Sequence, residues 1–171
     1  MKASQVGKNE YNDYYSRYIT TLGDTELIAG LKDNLSNTLS FLESIPENKL
    51  DYAYEEGKWT VKDVIQHTID TERIFSYRAL CFARNDNTEL PGFEQDDYIK
   101  TANPNSKSKE DLIREYKAVR IASIELFKSF TDDALQYVGS ASGSPMTARA
   151  AGFMLIGHEK HHYNVIREKY L

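Results

Sequence analysis

The amino-acid sequence predicts an all-α protein, a four-helix bundle with a long crossover loop between its second and third helices. Apolar residues recur at helical spacing in four long segments, and no segment shows the strict alternation that is typical of a strand. The 171 residues suffice for a single domain with one core, residues 1–171. We expect four long antiparallel helices at roughly residues 24–46, 60–85, 108–130 and 145–169.

The first two helices have recognisable ends. The first follows Asp24 and stops at Pro46, because proline cannot continue a helix. The second starts at Thr60, a good N-cap residue, with Asp63 three positions later, where a carboxylate favours the helix dipole. The tyrosine-rich segment before them, residues 1–23, is expected to pack on the bundle. Packing is a simpler explanation for its tyrosines than the stacking of a ligand.

The second half of the chain contains two connections and two helices. The stretch "NDNTELPGFEQDDYIKTANPNS" is rich in Asn, Asp, Pro and Gly, which predicts the long crossover loop. The third helix begins at Ser108, with Asp111 at its third position. A second loop, "VGSASGS", ends at Ser144 and Pro145, which we interpret as the N-cap and the first residue of the fourth helix.

Composition excludes several classes of partner. The net charge is −5, and the lysines and arginines are scattered, whereas nucleic-acid binding needs a concentrated basic face. No apolar run is long enough to cross a bilayer, so neither nucleic acid nor a membrane is expected as a partner. The single cysteine, Cys81, excludes an internal disulfide and indicates the reducing cytoplasm. The sequence leaves a homodimer open.

The stretch "GHEKHH", Gly157 to His162, carries three of the four histidines and matches H-E-x-x-H, the pattern of a zinc protease helix. A protease of that type takes its third ligand from further downstream, but only nine residues follow His162, all on the same helix. A ferritin-like di-metal site needs two E-x-x-H motifs, and the remaining histidine, His67, has Val64 three positions before it. Both interpretations therefore fail.

A mononuclear site explains the histidines better. His158 and His162 are four residues apart, so both imidazoles project from one stripe of the fourth helix, while His161 falls off that stripe. His67 lies on the inward face of the second helix. One histidine from that helix and two from the fourth can converge on one ion, with an open position that is typical of catalytic zinc. Imidazole ligands suit Zn, Ni, Co or Fe(II) better than Mg or Ca.

The chain resembles the DinB/YfiT-like superfamily in "EEGKWTVKDVIQHTIDTERIFSYRAL", "LPGFEQDDYI" and "GFMLIGHEKHHYNVIREKYL". The resemblance runs from about Leu50 to the end of the chain, and the predicted first helix fits by position. It implies a four-helix bundle in which His67, His158 and His162 hold one divalent metal ion. It implies no binding to DNA.

The resemblance also implies activities. Relatives include S-transferases that use low-molecular-weight thiols such as bacillithiol or mycothiol, a mycothiol-dependent isomerase, and a set proposed to be metal-dependent hydrolases. We therefore expect a metal-dependent enzyme acting on a small molecule, with thiol transfer as the first hypothesis and a thiol as co-substrate. A hydrolase is the alternative, as is a non-catalytic, stress-associated protein whose ion is structural.

Several further residues are candidates for supporting roles. Glu159, next to a ligand, could act as a general base, but a carboxylate that supports the site or lies at the surface is the simpler interpretation. Asp70, one turn after His67, could orient an imidazole or could face solvent. The resemblance suggests that Asp96, Asp97 and Tyr98, in the crossover loop, lie over the metal and contact the substrate.

Overall fold

The computed structural model of the protein describes residues 1–171, with six α-helices and three short strands. The helices are α1 (Ser16–Ile19), α2 (Leu27–Ser44), α3 (Val61–Ala83), α4 (Gln95–Ala102), α5 (Lys109–Lys128) and α6 (Ala148–Lys169). The strands are β1 (Glu89–Leu90), β2 (Val138–Ala141) and β3 (Ser144–Thr147). Helices α2, α3, α5 and α6 form a four-helix bundle, which confirms the predicted fold.

The predicted caps of the second and third helices are present. The Thr60 side chain accepts a hydrogen bond from the N–H of Asp63, and the Asp63 carboxylate accepts one from the N–H of Thr60. This reciprocal pair fixes the start of α3. The Ser108 hydroxyl likewise accepts from the N–H of Asp111 at the start of α5.

The expectation that all four helices are antiparallel to their neighbours was wrong. Helices α3 and α5 run parallel, because residue numbers increase along both helices from one contact to the next. The successive contacts are Gln66 with Glu115, Glu72 with Arg120, and Ser76 with Ser123. Parallel neighbours require a connection that returns along the bundle. Residues 84–108 make that return, which is the physical reason for the long crossover.

The crossover is more structured than predicted. Residues 95–102 of the expected loop form the helix α4, with Asp96 and Asp97 in its first turn and Lys100 near its end. Acidic residues at the start of a helix and a basic residue at its end both interact favourably with the helix dipole. Ile99 is buried, and Asn103 ends the helix in the left-handed conformation, with φ 46°.

The predicted start of the fourth helix was also wrong. Ser142 and Gly143 adopt left-handed backbone conformations, with φ of 56° and 72°, and make the two-residue turn of a β-hairpin. Pro145 therefore lies in the edge strand β3, where a missing N–H is tolerated. Helix α6 begins after Thr147, whose hydroxyl accepts from the N–H of Ala150. Strand β1 pairs parallel to β2 and completes a three-stranded sheet.

The bundle core has two apolar halves with a polar layer between them. One half gathers residues such as Leu31, Phe75 and Phe127, and the other gathers Leu42, Ile69 and Leu112. Between them, Arg120 of α5 donates to the carboxylates of Glu72 on α3 (2.7 and 2.8 Å) and Glu159 on α6 (2.9 Å). Thr38 of α2 donates to Glu159 at 3.0 Å, so the layer joins all four helices.

The N-terminal segment packs against α6. The Glu10 carboxylate accepts hydrogen bonds from Thr147 (2.8 Å) and from Nε of Arg149 (2.7 Å) at the start of that helix. Further along, Gly157 allows the backbone of α1 to approach closely, because a Cβ at that position would lie 2.0 Å from the carbonyl oxygen of Tyr18. The segment is thereby held beside His158. None of the helices combines the length and the apolar character that crossing a bilayer requires.

Candidate metal centre

Three histidines from two helices meet at the interface of α3 and α6. His158 and His162 are one turn apart on α6, and His67 faces them from the antiparallel helix α3. Nε2 of His158 lies 3.1 Å from Nε2 of His67 and 3.1 Å from Nε2 of His162. One ring nitrogen of each residue lies within 4.8 Å of those of the other two. The structure thus brings together the three residues that the sequence singled out.

This geometry fits a divalent ion better than hydrogen bonding among the rings. An imidazole nitrogen carries either one proton or one lone pair, so Nε2 of His158 can make one good hydrogen bond and not two. Zn–N bonds of 2.0–2.1 Å in tetrahedral coordination place ligand nitrogens about 3.3 Å apart. The observed separations of 3.1 Å are close to that value. The three side chains therefore form a suitable donor set for one ion.

The surroundings keep the imidazoles neutral. Burial lowers the pKa of His67 to about 4, although the charge of Asp96 opposes the shift. Burial, together with His67, His161 and Arg17, lowers the pKa of His162 to about 3. Burial and the neighbouring histidines hold the pKa of His158 well below its usual value. At neutral pH each ring can therefore offer a lone pair without first losing a proton.

We expect the stability of the metal-free protein to fall in mild acid. The unfolded histidines titrate near pH 6.5, whereas the folded pKa values of His67 and His162 are about 4 and about 3. Below about pH 6.5 the unfolded state binds more protons, so the free energy of unfolding decreases as the pH drops. Urea unfolding of chelator-treated protein from about pH 7 to about pH 5 would measure this slope. A His67→Phe variant should have a shallower slope, and a flat profile in the wild type would contradict the expectation.

A cavity of about 400 Å³ opens beside the three rings, within the range of small-molecule sites. Its apolar surface comes from Phe75, Phe93, Met154 and the tyrosines of the N-terminal segment. Its polar groups are Thr71, Glu94, Gln95, Asp96, Arg17 and the histidines. Because the three imidazoles are part of its lining, a ligand in this cavity would lie beside them.

The sequence reasoning missed the contribution of residues 14–18. Tyr14, Tyr15, Arg17 and Tyr18 all line the cavity, and the Tyr18 ring lies 5.3 Å from that of His158, edge to face. Packing accounts for Tyr18, which is buried, but Tyr14 is 61% exposed. The tyrosine-rich stretch "YNDYYSRY" is the sequence feature that could have indicated this contribution to the cavity.

Glu159 does not reach the centre. Neighbouring residues on a helix point about 100° apart, so Glu159 faces the bundle interior while His158 faces the cavity. Its carboxylate is engaged by Arg120 and Thr38 in the polar layer. Glu159 is therefore a buried structural carboxylate and not a general base at the histidines.

Asp70 does not orient an imidazole either. It accepts hydrogen bonds from Gln66 (3.0 Å) and Arg73 (3.1 Å), on the side of α3 that faces α5. His161 is exposed at the rim, where its ring lies 5.6 Å from that of Tyr18, and it is not one of the three clustered donors.

Of the three crossover residues expected near the metal, one lines the cavity and two do not. Asp96 lines the cavity, together with Glu94 and Gln95. Asp97 instead pairs with Lys100 on the exposed side of α4, and Tyr98 packs against Phe93, away from the histidines. The reason is that this stretch is helical, so consecutive side chains diverge.

The comparisons with known proteins agree with this architecture. The sequence profile of the DinB superfamily matches residues 31–166, which include all three clustered histidines. A protein of Geobacillus thermodenitrificans, named as a proposed metal-dependent hydrolase, is 23% identical over 141 residues, covering 80% of this chain and 78% of its own.

Two solved structures share the fold. YfiT from Bacillus subtilis, described as a probable metal-dependent hydrolase with an unusual four-helix bundle topology, superimposes with a TM-score of 0.73 at 17% identity, covering 83% of this chain and 82% of its own. A DinB-like protein from Bacillus subtilis, YjoA, gives a TM-score of 0.61 at 16% identity, covering 84% of this chain and 87% of its own.

Proposed function

This chain belongs to the DinB superfamily, and from that premise we propose that it is a divalent-metal-dependent enzyme that hydrolyses a small molecule. The observation that carries the proposal is the convergence of three neutral imidazoles at one side of an open cavity. The names of the Geobacillus relative and of YfiT support hydrolysis as the reaction type. Zn, Ni, Co and Fe(II) all suit an imidazole donor set.

The charge of the ligands decides what the ion can do. Three neutral imidazoles leave the ion its full double charge, so when bound it polarises a substrate oxygen and lowers the pKa of water or of a thiol. His67, His158 and His162 would hold it in this proposal. Because the polar layer of the core does not include them, they are free to do so.

The chain's own groups supply the remaining functions. Asp96 lines the cavity together with the three histidines, and in this proposal its carboxylate accepts the proton that the nucleophile loses. Phe75, Phe93 and Met154 form an apolar wall against which a substrate can pack.

A metal-depletion experiment tests the proposal. Protein treated with a chelator should lose hydrolysis of small esters, amides and lactones, and zinc, nickel, cobalt or iron should restore it. Helicity, measured by circular dichroism, should persist, because the ion joins only two of the four helices and the core is large enough without it.

Two results would overturn it. Unfolding of the metal-free protein would show that the ion is structural. A reloaded protein that leaves hydrolysable substrates intact but joins a low-molecular-weight thiol to an electrophile would show a transferase, since the same charge can activate a thiol. The assay therefore includes a thiol arm.

A further inference from the structure

The cavity beside the histidines is lined by one arginine, and this arginine forms no salt bridge within the protein. Arg17 lines the cavity and belongs to none of the ion pairs of the chain. Glu94 and Asp96, at the crossover, also line the cavity, but neither carboxylate lies within salt-bridge distance of Arg17. The guanidinium is therefore available to an incoming group.

Its position is fixed by aromatic neighbours. Nη2 of Arg17 donates a hydrogen bond to the hydroxyl of Tyr18 at 2.8 Å. The guanidinium carbon lies 4.6 Å from the centre of the Tyr14 ring and 4.8 Å from that of the Tyr18 ring. Rings at these distances attract a cation and restrict its motion. Because this side chain is already restricted, binding a ligand would cost less side-chain conformational entropy.

The same tyrosine connects Arg17 to the centre. The Tyr18 ring stands edge to face against His158, so a single aromatic ring separates the guanidinium from the imidazoles. Arg17 and the three histidines also line the same cavity. A small molecule can therefore touch the guanidinium and the histidines at the same time.

A planar guanidinium with free N–H groups matches a carboxylate, which it can bind through two parallel hydrogen bonds. We propose that Arg17 binds a carboxylate of the substrate, so that the site selects small molecules whose carboxylate lies a few bonds from the reacting group. This inference rests on the proposed function, because it assumes that the reacting group is drawn to an ion held by the three histidines.

Two matched compounds test it on zinc-loaded protein. The monohydroxamate of succinic acid and its terminal-amide analogue both offer a hydroxamate to the ion and differ only in whether the far end is charged. Isothermal titration calorimetry should show about tenfold tighter binding of the carboxylate compound by the wild type, a gain typical of a charge-assisted hydrogen bond. Because Arg17 is exposed, added salt should reduce this preference.

The variants separate the guanidinium from other causes. Arg17→Gln should abolish the preference without changing the zinc content, and Arg17→Lys should keep part of it, since lysine retains the charge but not the planar fork. The control is Arg167→Gln, which removes a guanidinium stacked on Phe41 outside this cavity and should change nothing.

The outcomes distinguish the two proposals. Equal affinity of the wild type for both compounds, or a preference that survives in Arg17→Gln, would overturn the role of Arg17 and leave the metal centre standing. If zinc-loaded protein binds neither compound, the centre is not an accessible metal site and both proposals fall.

Discussion

His158→Ala should remove the metal from this protein, whereas His161→Ala should leave the metal content unchanged. His158 supplies the central donor, because its Nε2 lies 3.1 Å from those of both His67 and His162. With only two imidazoles left, the affinity for the metal should fall by at least about 100-fold. Even residues that only orient metal ligands contribute about 10–100-fold to metal affinity. His161 is exposed and points to the rim of the cavity.

Elemental analysis after reconstitution with zinc measures the effect. The pair is well matched, because both substitutions remove an imidazole from the same turns of α6. Circular dichroism should show equal helicity for both variants. Equal retention of zinc by both would show that the three rings do not form the site, and equal loss would show that His161 belongs to it.

Arg120→Met should destabilise the fold more than any surface substitution. Arg120 is 1% exposed and is shared by the carboxylates of Glu72 and Glu159. Its removal leaves two buried carboxylates without a cation, a change that typically costs about 3–5 kcal/mol. At roughly 2–4 °C per kcal/mol for a chain of this size, the melting temperature should drop by about 10 °C.

The loss of stability in Arg120→Met should depend on the pH and on the presence of the two carboxylates. Burial raises the pKa of Glu159, although the charge of Arg120 acts in the opposite direction. Without Arg120 this carboxyl group should protonate more readily in the folded state. The variant should therefore recover part of its lost stability in mild acid. Combining Arg120→Met with Glu72→Gln and Glu159→Gln removes the unpaired charges and should restore much of the loss. Urea unfolding compares the variants, and a single variant as stable as the wild type would contradict the assigned role.

The features that local sequence determines were predictable. The caps at Thr60 and Ser108 involve partners only three residues away, so the pattern alone reveals them. The meeting of His67 with His158 and His162 required a further step, but helical spacing placed all three on inward faces, and two packed inward faces must touch.

Features that depend on distant partners were not predictable in this way. The role of Glu159 is determined by Arg120, which lies 39 residues away, and a helical wheel cannot distinguish an inward face at a cavity from one at a polar layer. The hairpin before α6 depends on the left-handed backbone of Ser142, a conformation that few residues other than glycine adopt. The role of Arg17 arises only when the N-terminal segment docks beside His158.

The close contact at Gly157 has a consequence for how such proteins can diverge. It seats residues 14–18 against the histidines, yet these residues precede the stretch, 31–166, that the superfamily shares. Arg17, the proposed carboxylate-binding residue, therefore lies outside the shared stretch, whereas the three histidines and the rest of the cavity wall beyond residue 18 lie within it. Tyr14 and Arg17 are exposed, so replacing them leaves the core and the three imidazoles intact. Residues 14–18 can therefore change among relatives while the three histidines are kept.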